Sequence, residues 1–88
     1  MTIKEFKNKH KDQLVSLYYV EYKSVDVMDE TLITIKETKV YEGRAEFIPT
    51  NYFEHKIISM RPEFKNKEFF IKLFIWTSFL NKLNRNYI

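Results

Sequence analysis

Asn66 to Tyr87 reads Asn-Lys-Glu-Phe-Phe-Ile-Lys-Leu-Phe-Ile-Trp-Thr-Ser-Phe-Leu-Asn-Lys-Leu-Asn-Arg-Asn-Tyr. Phe69, Leu73, Trp76, Leu80, Leu83 and Tyr87 recur at alternating steps of four and three, which on a helix makes one continuous apolar seam. Phe70 and Phe74 add a second row, and Ile71, Ile75 and Phe79 a third. A helix apolar on nearly all sides must be buried on most of them. The spacing predicts a long C-terminal helix packed on a sheet built from the residues before it.

Thr2 followed three residues later by Glu5 is a capping-box pattern, so a first helix is expected from Ile3 to about Asp12, with Lys4, Lys7 and Lys11 along one face. Leu14 to Tyr22 is rich in β-branched and aromatic residues and reads as a strand, the alternative being a continuation of the first helix. Ser24 to Glu30 reads as a loop holding Asp26, Asp29 and Glu30. Thr31 to Tyr41 alternates like a strand until its apolar parity switches at Val40, which predicts a bulge or break near Glu37 to Lys39. Gly43, the only glycine, is expected in a hairpin turn, with Ala45 to Ile48 returning and Pro49 ending that strand. Tyr52 to Met60 alternates again and forms the fourth predicted strand, and Arg61 to Lys65 is a connector. The expected fold is a single α+β domain over residues 1–88: an N-terminal helix, a four-stranded antiparallel sheet and the long C-terminal helix.

At 88 residues the chain buries a small core without help from metal or disulfide, and it has no cysteine. That excludes disulfides, thiolate metal sites and a cysteine nucleophile, and suits a reducing compartment. The charged N-terminus lacks the apolar run of a signal peptide. The apolar run Phe69 to Leu80 contains Lys72 and is too short for a bilayer core of roughly 30 Å. A cytoplasmic protein with no membrane partner is expected. Of the 15 basic residues only Arg44, Arg61 and Arg85 are arginine. With abundant Lys, Asn, Ile, Phe and Tyr, this is the bias that A+T-rich codons produce, as in many low-GC bacteria and their phages.

His10 and His55 are the two histidines, and neither stands at a metal-ligand spacing. Glu54 and His55 are neighbours and would point to opposite faces of a strand. One glycine cannot build a phosphate-cradling loop. No cofactor site, small-molecule substrate or catalytic residue is indicated, and the expectation is that the chain is not an enzyme.

Two binding readings remain. In the first, a small protein from a phage or mobile element docks onto another protein: a host defence system or enzyme that it inhibits, or a second copy of itself through the C-terminal helix. Trp76, Phe70 and Phe74, or the acidic group Asp26, Asp29 and Glu30, would form the contact, because excess apolar surface marks a partner site. In the alternative, single-stranded nucleic acid binds to Lys4, Lys7, Lys11, Lys65 and Lys67, with Tyr18 and Tyr22 as stacking platforms. The net charge of +3 is mild for that role.

Overall fold

Thr2 caps a short helix, α1 (Ile3–Lys9): its side-chain oxygen accepts from the Glu5 backbone N–H, and the Glu5 carboxylate accepts from the Thr2 backbone N–H. The computed structural model describes residues 1–28 and 30–76, with the backbone alone for residues 23, 25–27 and 31–34. Four strands follow α1: β1 (Leu14–Val27), β2 (Glu30–Arg44), β3 (Ser59–Lys65) and β4 (Glu68–Trp76). They form one sheet in the order β2-β1-β4-β3. β1 pairs antiparallel with β2 and parallel with β4, and β3 pairs antiparallel with β4. The fold is α+β, as expected, with a mixed rather than an antiparallel sheet. Among the described residues no helix is long and apolar enough to cross a membrane.

The predicted C-terminal helix is corrected by β4. Glu68 to Trp76 is a central strand with large apolar side chains on both faces, so its sequence resembles a helix that is apolar all round. The rest of that prediction, residues 77–88, lies outside the described residues. The other corrections concern strand ends. Ser24 to Glu30 is not a loop: β1 runs on to Val27, and the turn into β2 passes through Met28 at φ 48°. Gly43 makes no hairpin, because β2 continues through it to Arg44. Ala45–Phe47 and Thr50–Tyr52 are single 3-10 turns, so the predicted strand Ala45 to Ile48 and all of Tyr52 to Met60 but its last two residues, which open β3, give way to a connector that crosses the sheet. Arg61 to Lys65 belongs to β3, an edge strand, where Pro62 is tolerated because it need not donate to a further neighbour. Asn66 and Lys67, both at positive φ, make the tight turn into β4.

The strand over Leu14 to Tyr22 is as expected. The parity switch at Val40 is a β-bulge: Leu17 pairs with Tyr41 and Tyr18 with Lys39, leaving Val40 as the extra residue.

The odd-numbered residues of β1 and β4 meet α1 and the connector. Ile3, Phe6, Ala45 and Ile48 bury against Val15, Leu17, Leu73 and Ile75 in the main core. Backbone bonds fasten this layer: Ile3 N–H to the His55 carbonyl at 3.0 Å, Lys4 N–H to the Phe53 carbonyl at 3.1 Å, and Ala45 N–H to the Gln13 carbonyl at 2.8 Å. The first two satisfy helix N-terminal donors that have no partner within the helix. Among the described residues no helix lies over the opposite face of the sheet.

Candidate docking surface on the open sheet face

The even-numbered residues of β1 and β4 point to the open face, and their register sets its layout. Tyr18 stands beside Phe74 and Val20 beside Trp76, while on the outer strands Glu37 is opposite Val20 and Arg61 opposite Lys72. The Tyr18 and Phe74 rings stack with centroids 5.3 Å apart, and Tyr22 tilts onto Trp76 at 4.8 Å.

One half of this face is roofed by its own long side chains. Lys65 Nζ lies 4.7 Å from the Phe70 ring centre and Lys72 Nζ 5.5 Å from that of Tyr18. Basic side chains cover apolar surface with their stems while the charged heads stay wet. The heads are then ion-paired. Glu42 accepts from Ser16 Oγ at 3.2 Å, from Lys39 Nζ at 3.3 Å and from Lys65 Nζ, and Glu63 pairs with Lys72 at 3.0 Å. The hydrogen bonds from Lys65 and Lys39 lower the Glu42 carboxyl to a pKa of about 2. Lys65 and Lys72 are raised, chiefly by their bonds to Glu42 and Glu63.

With a folded pKa of about 2 against an ordinary value of 4.5, Glu42 contributes stability that is complete above about pH 4.5 and lost as the pH falls toward 2. Glu5, lowered by its bonds to Thr2, acts in the same direction. The melting temperature should drop across that window, and Glu42→Gln should flatten the drop. An unchanged acid profile in Glu42→Gln would show that the bridge stabilises nothing.

The other half of the face is open. Val20, Tyr22, Ile35, Ile58, Phe74 and Trp76 line a groove of about 280 Å³, with Ser59, Arg61 and Glu37 at its margin. Phe74 is nearly buried beneath the Arg61 guanidinium, 5.2 Å above its ring, whereas Tyr22 is 46% exposed. The predicted contact residues Trp76, Phe70 and Phe74 all lie on this face, with Phe70 under the roofed half. Glu30 is exposed at the far end of the β1–β2 ribbon, Asp26 is placed there by its backbone alone, and Asp29 lies outside the described residues.

The residues predicted for nucleic acid are split. Tyr18, Tyr22 and Lys65 belong to the open face, Lys67 is in the β3–β4 turn, and Lys4, Lys7 and Lys11 are in or just beyond α1 on the other side of the sheet. Lys7 lies over the Phe53 ring at 4.9 Å. His55 packs beside the Tyr19 and Tyr52 rings, 5.9 and 6.3 Å away. No group of three or more metal-ligating side chains occurs among the described residues.

The sequence reading missed Arg61, Ile35 and Ile58. The signal for Arg61 was present: Arg61, Glu63 and Lys65 alternate with Met60, Pro62 and Phe64. Pro62 drew that stretch into a connector instead. Compared with protein-family models, with curated proteins and with solved structures, the chain matches none.

Proposed function

We propose that this chain is a non-enzymatic binding protein that docks onto another protein through the open half of its sheet. The observation that carries the reading is the groove itself, which presents Trp76, Tyr22 and Arg61 together. Those three residue types dominate binding energy at protein interfaces, because each combines a large contact area with a polar handle. The nucleic-acid alternative is less well supported, since Lys65 and Lys72 are already neutralised by Glu42 and Glu63. The small size and A+T-rich coding bias direct the search to a mobile element's host. Inhibition of a host defence system or enzyme is the activity to assay.

The test is a pair of groove variants in affinity capture from a low-GC bacterial lysate, with self-association followed alongside by light scattering. Tyr22→Glu should abolish whichever association the wild type shows, with little change in melting temperature, because Tyr22 is half exposed. Trp76→Ala should do the same, at a stability cost well under the roughly 3 to 5 kcal/mol of a fully buried tryptophan. If both variants associate as the wild type does, the groove is not the docking surface.

A further inference from the structure

We propose that the open face docks onto a second copy of this chain, in a two-fold dimer in which Arg61 of each protomer pairs with Glu37 of the other. The inference rests on the docking reading above and names the occupant.

The charges on the face carry it. Lys39, Lys65, Lys72 and Arg44 each have a carboxylate within ion-pair distance. Among the described residues Arg61 and Glu37 have none, and both stand at the margin of the groove. They carry opposite charges and sit at opposite corners. Glu37 is on the β2 edge in the row of Val20 and Trp76, and Arg61 is on the β3 edge in the row of Ser16 and Lys72. At about 4.8 Å per strand and about 3.3 Å per residue, they are about 14 Å apart across the sheet and about 13 Å along it. The line between them passes over the stacked Tyr18 and Phe74 rings.

A two-fold axis lying between two such faces and bisecting that line exchanges the two corners. Each Arg61 then meets a Glu37, the reciprocity that a two-fold interface requires. The Arg61 guanidinium is suited to the role. It lies over Phe74, and its planar fork of N–H donors matches the two oxygens of a carboxylate. Residues 77–88 hold Lys82 and Arg85 but no acidic side chain, so they have none to offer Arg61.

The experiment uses the full chain, Arg61→Glu and Glu37→Arg, with light scattering and analytical ultracentrifugation across a concentration series. Both positions are exposed, so both variants should keep the fold, checked by circular dichroism at a concentration where the wild type is also monomeric. The wild type should be a dimer. Each variant alone places like charges together at both ends of the interface, which should raise the dimer Kd by about a hundredfold or more. An equimolar mixture of the two should restore a dimer, because one face is then acidic at both corners and the other basic. A wild type that stays monomeric at millimolar concentration overturns the proposal, and so does a dimer that neither variant weakens or a mixture that does not associate. A monomer that still captures a host protein, and loses it on Tyr22→Glu, would overturn the dimer alone and leave the docking surface standing.

Discussion

Leu73→Ala should lower the unfolding free energy by about 2 to 5 kcal/mol, the range for removing a large aliphatic side chain from a packed core. Leu73 is fully buried at the middle of β4, paired with Leu17 on β1 and Met60 on β3, and it belongs to the cluster that receives α1. No backbone adjustment of a central strand fills the vacated volume without disturbing a hydrogen-bonded neighbour on each side. A chain of 88 residues has about 4 to 13 kcal/mol of net stability, at roughly 0.05 to 0.15 kcal/mol per residue. The substitution therefore removes a large share of it. In urea unfolding the midpoint should fall steeply while the slope is retained, because the surface exposed on unfolding hardly changes. A loss below about 1 kcal/mol would place the centre of the core elsewhere.

Gly43→Ala should cost about 1 to 3 kcal/mol, the price of an L side chain in a sparsely populated backbone region. Gly43 has φ +151°, and a Cβ there would lie 2.8 Å from the Tyr41 hydroxyl oxygen and 3.3 Å from the ring carbon that bears it. That hydroxyl is not free to give way, because it donates to the Arg44 carbonyl at 2.6 Å. Burial also raises the Tyr41 pKa, so the neutral phenol persists above its ordinary range and the donor remains available. Alanine thus strains the backbone and displaces a hydrogen bond at once. A double-mutant cycle separates the two effects: Tyr41→Phe should cost less in the Gly43→Ala background than in the wild type, because the bond it removes is already disturbed. Equal costs in both backgrounds would mean that the alanine methyl never meets the hydroxyl.

Gly43 also shows where sequence reasoning lost the fold. A lone glycine between two strand-like runs usually marks a turn, but here it serves the close approach of Tyr41 within an unbroken strand. The real turn of the second hairpin is Asn66-Lys67, which lacks the glycine that announces such turns. The longest misreading, the helix through Trp76, has a similar origin. Phe69 and Leu73, four residues apart, share a face in a helix and in a strand alike, and with apolar residues at both parities of β4 a single Lys72 does not reveal a period of two.

The candidate surface was legible in part. Trp76 and Phe74, expected in a protein contact, and Tyr22, expected as a stacking platform for nucleic acid, share one face. Arg61 and Glu37 do not stand out, because a charge with no counter-ion within ion-pair distance among the described residues is recognisable only once the other charges have found theirs.

What the residues determined unaided is local: the Thr2–Glu5 cap, the strand from Leu14 and the bulge signalled by the parity switch at Val40. Each rests on side chains within a few positions of one another, where capping bonds and alternation act. Only the tertiary structure decided that β4 lies parallel to β1, that α1 and the connector cover one face, and that the Tyr22–Trp76 groove lies on the other. Strand partners are chosen by burial and hydrogen bonding between residues far apart in the chain, and no short stretch of sequence records that choice.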